Sequence, residues 1–353
     1  MSACKDIRIG GHVIGRGKQP FIVAEMSGNH NQSLERALKI VEAAAAVGVH
    51  AIKLQTYTAD TMTFDSDDEI FKITDKNSLW HGASYYQLYQ QAHTPWEWHK
   101  SIFDYCKKLG LVAFSTPFDE TAVDFLESLD VPCYKIASFE TGDLSLLRKV
   151  AATGKPVIMA TGTATLAELD EAVTTLRAFG CKDLILLKCT SAYPAPVQEA
   201  NLLTIPCLQS IFDCHVGLSD HTLGIGVGIA SVALGAVLIE KHFALSRSDG
   251  GVDTAFSMEP HEMHNLVIDA ERANFALGKV TFGPTAHEQA SLVFKRSLYI
   301  NQDVNAGELL TKEKIKIARP GHGLPPKYLN MILNKPVRCM LKRGTPLKWE
   351  YFF

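Results

Sequence analysis

Beyond its first twenty residues the chain alternates short apolar or β-branched runs with longer segments of helical period. The strand-like runs are FIVAEMS from Phe21, AIKLQTY from Ala51, LVAFSTPF from Leu111 and PCYKIASF from Pro132. They continue with PVIMATG from Pro156, LILLKCTS from Leu184, HVGLSDHT from His215 and AVLIEKHF from Ala236. Between them SLERALKIVEAAAAVG, ETAVDFLESL and TLAELDEAVTTLRAFG have helical spacing, several opening on Ser or Thr as an N-cap and closing on Gly. Strands that alternate with helices predict a parallel sheet. About eight such units across roughly 260 residues predict an α/β fold, a (β/α)8 TIM barrel, which typically takes about 250. A doubly wound open sheet is the alternative.

Two stretches depart from the repeat. From Thr58 to His93 the sequence carries DSDDE and then KNSLWHGASYYQLYQQ, which predicts a long strand-to-helix insertion over the mouth of the barrel. After about Leu277 the period changes. TFGPTAHEQASLVFKR reads as a polar linker, and from Ser297 short strands alternate with the Gly and Pro turns NAGE, RPGHG and KRGTP. The expected organisation is a barrel over 1–280, a linker over 281–296 and a small, mostly β unit over 297–353, too short to carry the main chemistry alone.

Composition narrows the function classes. The net charge of -3 gives no basic surface for nucleic acid, so an anionic ligand must be held by a few placed cations. The eight cysteines form no C-x-x-C pair and there is no signal-like N-terminus, which predicts reduced core cysteine and a cytoplasmic protein. The run from Thr222 to Ile239 carries no charge, yet its glycines and the flanking Glu240-Lys241-His242 favour a buried helix and strand over a membrane span. It also lacks the G-x-G-x-x-G of a dinucleotide site.

The predicted strands end in polar residues: Glu25, Lys53, Gln55, Thr116, Lys135, Ser138, Glu140, Ser219, His221, Lys241 and His242. In a barrel of this kind the C-terminal strand ends build the active site. His221 and His242 suit a divalent metal with positions left for water and substrate, and ordinary hydrogen-bonded histidines are the alternative. Lys53, Lys135 and Lys241 suit a phosphate or carboxylate, with Thr116, Ser138 and Ser219 as neutral donors; a rim salt bridge is the alternative for any one lysine. Glu25, followed by Asn29 and His30, is an acid/base candidate or an ion-pair partner of one lysine. Trp96 and Trp98 read as packing rather than as a sugar platform.

In order along the chain, AEMSGNHN, IKLQTYT, FSTPFDETAVDFLESL, YKIASFE, ATGTATLAELDEAV, LLKCTSAYPAP, VGLSDHTLG and IEKHF resemble the sialic acid synthase family. KRSLYI, RPGHGL and KRGTPL resemble the antifreeze-like domain that ends those proteins, so the resemblance runs from about Pro20 to the C-terminus. Within the family, QTYT, SLWHG, TPWEWH and SFE look most like the pseudaminic acid synthases. The resemblance implies condensation of phosphoenolpyruvate with 2,4-diacetamido-2,4,6-trideoxy-L-altrose and release of phosphate. N-acetylneuraminic or legionaminic acid synthesis is the alternative on the same scaffold. A metal-dependent aldolase, an amidohydrolase and a non-catalytic carbohydrate-binding protein are rival readings.

The resemblance further implies a divalent cation, Mn2+, Mg2+ or Co2+, on His221 and His242. It implies that Lys53, Thr116, Lys135, Ser138 and Ser219 hold phosphoenolpyruvate, that Glu140 and Tyr193 lie near the acceptor sugar, and that Glu25 is the acid/base. Gln55, Ser191, Lys241 and Asp253 join the expected substrate contacts. Arg319 matches an arginine that reaches a partner's site, which implies a domain-swapped homodimer. Two positions depart from the commoner family pattern: Ala160 precedes Thr161-Gly162, and Ser191 stands where Asn is frequent. No nucleic acid or membrane partner is expected.

Overall fold

The chain opens with an antiparallel hairpin that the repeat did not reveal, β1 (Ile7–Ile9) paired with β2 (His12–Ile14). This is the computed structural model of the protein, which describes residues 4–76 and 78–352. Gly10 and Gly11 join the two strands with φ of 53° and 91°, the paired positive values of a type I′ turn. Gly10 is also sterically required, because a Cβ there would lie 2.5 Å from Val112 Cγ2. Ile7, Ile9 and Ile14 pack with Phe21, Ala51, Val112 and Leu238, residues at the N-terminal ends of barrel strands. The hairpin therefore plugs the bottom of the barrel. Burying three isoleucines contributes on the order of 5 kcal/mol of transfer free energy.

Eight parallel strands then close into a barrel. They are β3 (Phe21–Glu25), β4 (Ala51–Thr56), β5 (Val112–Pro117), β6 (Tyr134–Ile136), β7 (Val157–Ala160), β8 (Leu184–Cys189), β9 (His215–Ser219) and β10 (Leu238–His242). Their spatial order follows the chain, with β10 returning to pair with β3. The expected closed (β/α)8 architecture is what forms, and the open doubly wound sheet is excluded. Helices fill the outside, as the apolar stripes require. The helix Leu34–Ala46 starts where Ser33 accepts a hydrogen bond from Arg36 N, and Leu166–Ala178 starts on a reciprocal Thr165–Glu168 capping box. The uncharged run forms the helix Gly226–Ala233 followed by β10. Among the described residues no helix is long and apolar enough to cross a membrane.

Strand alternation decides which side chains reach the interior. In β10, Leu238 belongs to the inner cluster with Phe21 and Ile185, whereas Ile239 packs outward with Val232 and Leu266 of the surrounding helices. Glu240 and His242 therefore share the inner face with Leu238, and Lys241 faces the helices. The Thr58–His93 insertion carries the short helices Ala59–Met62 and Tyr85–Ala92. Trp80 Nε1 donates to Val252 O at 3.0 Å and so ties this insertion to the loop that follows β10.

The chain divides into two units, Met1–Gly278 and Lys279–Phe353. The second has its own core, including Leu298, Ile300, Leu310, Ile332 and Leu347. Its regular sheet is the single antiparallel pair β11 (Ser297–Ile300) and β12 (Ile315–Ala318), extended by isolated bridges such as Val304 to Leu341. Much of the unit is held by turns rather than by long strands.

Candidate active site

Register brings the predicted residues together. Glu25 ends β3 beside Lys53 of β4 and His242 of β10. Lys53 Nζ lies 2.5 Å from Glu25 Oε2 and 3.2 Å from Thr116 Oγ1. Lys135, on the opposite wall, reaches across to Glu240 Oε1 at 3.0 Å, and Lys53 lies 3.6 Å from the same oxygen. Ser219 Oγ, next to Glu240 on β9, donates to it at 3.3 Å. Glu25, Lys53, Thr116, Lys135, Ser219 and Glu240 are all buried, so the mouth holds two ammonium groups and two carboxyls out of bulk water.

The environment separates the two carboxyls. Burial pushes Glu240 up, but Lys135 and Lys53 outweigh it and hold this carboxyl down at about 2. Burial pushes Glu25 up, and against the pull of Lys53 its carboxyl stays above the usual range. Lys53 itself is raised: burial opposes its charge, and Glu240 and Glu25 more than restore it. A carboxyl held low and one held above its usual range flank the same ammonium, the separation that acid/base chemistry needs.

The two histidines sit side by side, with ring centroids 5.3 Å apart. His221 Nδ1 lies 2.9 Å from Thr190 O, the contact of a ring N–H donor, so Nε2 is the nitrogen that carries the lone pair in the neutral ring. His242 Nδ1 is buried with no hydrogen-bond partner. Burial and then His221 and the nearby lysines push His242 well below its ordinary range, so it is a neutral imidazole. Tyr193 covers the pair at 4.5 Å from His221 and 6.3 Å from His242, and Phe256 lies 4.9 Å from His242.

Three loops meet at one point beside them. Gly162 N donates to Ser138 Oγ at 3.2 Å, and a Cβ on Gly162 would fall 2.2 Å from Ser191 Oγ and 2.7 Å from Ser138 Oγ. Two hydroxyls and a backbone amide thus converge where any larger residue would fill the space. Ala160, the position lacking a hydroxyl, lies buried just upstream on β7. Glu140 follows Ser138 in the same turn; its Oε2 is buried without a partner, and burial pushes its carboxyl up to about 7. Asp253 accepts a short hydrogen bond from Ser27 Oγ, and burial raises it. Burial pushes the Tyr193 phenol up, and the charges of Asp253, Glu240 and Glu140 add to it.

Several expectations need revision. Lys241 is not at the mouth. It is fully buried outside the barrel wall, where Nζ donates to Asp220 Oδ2 at 2.9 Å, Thr222 O at 2.7 Å and Gly224 O at 3.0 Å, using all three donors. Asn29 is likewise committed to Phe243 O and Ser257 Oγ, and His30 packs against Thr94 and Trp98. Trp96 stacks on Phe125, in keeping with a packing role. Gln55 lies on the same face of β4 as Lys53, two residues on. Arg319 lies in the second unit, just after β12, with an exposed side chain. Glu240 was missed, although its place two residues before His242 on one strand is the signal that would have found it.

Residues 40–282 match the NeuB family and residues 295–352 match the SAF domain. The chain belongs to the NeuB family. Pseudaminic acid synthase from Helicobacter pylori is 43% identical over 330 residues, which span 93% of this chain and 96% of that protein. The pseudaminic acid synthase of Campylobacter jejuni is 42% identical over 335 residues, 95% of this chain and 97% of that one. Among solved structures, an N-acetylneuraminic acid (sialic acid) synthetase from Leptospira borgpetersenii superposes with a TM-score of 0.73 at 31% identity, covering 83% of this chain and 97% of that one. As a NeuB-family member the chain is an enzyme, a nonulosonic acid synthase.

Proposed function

We propose that this NeuB-family chain condenses phosphoenolpyruvate with open-chain 2,4-diacetamido-2,4,6-trideoxy-L-altrose and water, giving pseudaminic acid and phosphate. The observation that carries the reading is the meeting of Lys53, Lys135 and the Ser138–Gly162–Ser191 cradle beside the histidine pair. A ligand with a carboxylate and a phosphate needs such separated cationic and neutral donors. The similarity to two pseudaminic acid synthases along nearly their full length supports the choice of sugar.

In this reading, carbon 3 of phosphoenolpyruvate attacks the aldehyde carbon of the sugar. Water adds at carbon 2, and the resulting tetrahedral centre expels phosphate by C–O cleavage. Lys53 and Lys135 hold the anionic groups, and preorganised charge of this kind is usually a large catalytic term. Thr116 and Ser219 orient these ammonium and carboxylate groups through the hydrogen bonds already described. Glu25, raised by burial and in contact with Lys53, moves a proton during addition or breakdown.

The residues present fit a divalent cation. His242 Nδ1 is buried and unpartnered, and His221 keeps one ring nitrogen free. Among the described residues no set of three or more His, Cys, Asp or Glu side chains is arranged as a metal site, so a cation on His221 and His242 would keep most positions for water and substrate. When bound, it supplies Lewis-acid polarisation of a carbonyl oxygen. Mn2+, Mg2+ and Co2+ are the candidates. We extend the reading to a homodimer in which Arg319 of the small unit serves the acceptor site of a partner; its exposed guanidinium supports this.

The test is phosphate release. Purified protein should release phosphate from phosphoenolpyruvate only when acceptor is present. It should do so faster with the altrose derivative than with N-acetylmannosamine or the diacetamido-mannose analogue, assayed side by side. Phosphoenolpyruvate labelled with 18O at the bridging position should yield phosphate that keeps the label. Release without acceptor, or pyruvate in place of the condensation product, would favour an aldolase or hydrolase.

A further inference from the structure

We infer that Trp80, acting with Tyr193, is the specificity-determining wall that reads the deoxygenated carbon 6 end of the acceptor sugar. The inference rests on the function just proposed and goes beyond it by assigning the sugar's far end to a named side chain of the Thr58–His93 insertion.

The geometry is set by reach. The aldehyde carbon must lie at the histidine pair for the condensation to occur there. An extended six-carbon chain places carbon 6 roughly 6 Å from carbon 1 with ordinary C–C bonds. Tyr193 lies 4.5 Å from His221, and two further rings flank it: Phe256 at 5.3 Å, which also packs on His242, and Trp80 at 6.4 Å, tilted 57° to it. The indole of Trp80 and the ring face of Tyr193 form an angled wall one ring removed from His221.

Trp80 offers that end no polar partner. Its one donor, Nε1, is already committed to Val252 O, so the remainder of the ring is hydrocarbon surface. A methyl group loses nothing against such a wall. A hydroxyl against the indole would give up its water with no replacement hydrogen bond from Trp80. Trp80 also lines a cleft of about 590 Å3 with Asn31, Gln32, Gln87, Gln91 and Val252. Removing the indole would join that amide-lined, open space to the wall and let water and hydroxyl groups in.

The test compares two acceptors: the 2,4-diacetamido-2,4,6-trideoxy sugar and the same sugar with a hydroxyl on carbon 6. An apolar pocket rejects an added hydroxyl by about 10–100-fold in kcat/KM, and that range is expected for the unaltered protein. Trp80→Ala and Trp80→Gln should cut the preference about tenfold, with KM for phosphoenolpyruvate unchanged. Trp80→Phe keeps an apolar ring, though a smaller one, and loses the hydrogen bond to Val252; it should keep most of the preference. A thermal melt identifies any variant that fails to fold, and the Gln and Phe variants then decide the matter. Equal losses for both acceptors in the Ala and Gln variants, or an undiminished preference, would overturn the wall while leaving the function intact. An unaltered protein that turns over neither sugar, or only N-acetylmannosamine, would overturn the function and the wall together.

Discussion

Glu25 and Lys53 are neighbours in the barrel register, and their Oε2 and Nζ atoms lie 2.5 Å apart where β3 and β4 reach the mouth. The contact links a carboxyl that burial holds above its usual range to an ammonium that stays charged because Glu240 shares it. The two residues should fail differently. Glu25→Gln removes the proton carrier and keeps the shape, so kcat should fall about 10²–10⁴-fold with little change in KM for phosphoenolpyruvate. Lys53→Met removes an anion-binding charge and leaves Glu25 without its cation, so KM for phosphoenolpyruvate should rise as well. Steady-state kinetics of both variants check this; matching profiles would refute the division of roles.

Replacing His221 or His242 with Ala should abolish turnover and weaken binding of divalent cations, read by equilibrium dialysis. The His242 variant has a second readout. Its Nδ1 is buried without a partner, a cost of about 1–3 kcal/mol in the metal-free fold. Metal-free His242→Ala should therefore melt no lower than metal-free parent protein. A large loss of stability would make His242 a structural histidine.

Lys241 is a matter of stability, not of substrate. Its ammonium and the Asp220 carboxylate are both about 1% exposed and 2.9 Å apart. Breaking a buried pair by removing one partner costs about 3–5 kcal/mol. Lys241→Met should lower thermal stability by that order, while KM for phosphoenolpyruvate in the folded fraction stays unchanged. Asp220→Asn in the same background should recover part of the loss, and denaturant melts of the single and double variants measure it.

The Lys241 case shows what was legible in the chain and what was not. The eight strands, the insertion and the small final unit follow from periodicity, because apolar runs bounded by turns leave few alternatives. Lys53, Lys135, His221 and His242 stood out because polar residues ended apolar strands. The same reasoning misplaced Lys241, since successive residues of a strand face opposite sides and only register decides which side is inside. It overlooked Glu240 for the same reason. The bottom hairpin escaped because Ile7, Ile9 and Ile14 are too few to show a period, although Gly10-Gly11 marks its turn. The meeting of Ser138, Gly162 and Ser191 joins three separate loops, and no local pattern encodes it.

Arg319 tests the composite site. Its side chain is exposed in the SAF-domain unit, so Arg319→Ala should not lower stability by more than about 0.5 kcal/mol. If a partner's acceptor site uses it, KM for the sugar should rise about tenfold or more while KM for phosphoenolpyruvate holds. Mixing this variant with an inactive His221→Ala chain should then restore sugar affinity in part of the mixed dimers. An effect confined to phosphoenolpyruvate would contradict the composite arrangement.

Glu140 gives the pH dependence. Burial is the main cause that lifts its carboxyl to about 7 from an ordinary 4.5, and a backbone hydrogen bond and Lys135 only partly offset it. Between those two values the folded chain keeps a proton that the unfolded chain has released. Stability therefore falls as pH rises across that window, by up to roughly 3 kcal/mol at 1.36 kcal/mol per unit. Glu140→Gln replaces the buried acid with a neutral amide of the same shape and cannot lose this proton. Its stability relative to the parent should rise from pH 4.5 to pH 7 and level off above. Denaturant melts of both proteins at several pH values read the difference directly. A difference that is flat across the window would mean that Glu140 is ionised and solvated in the folded protein.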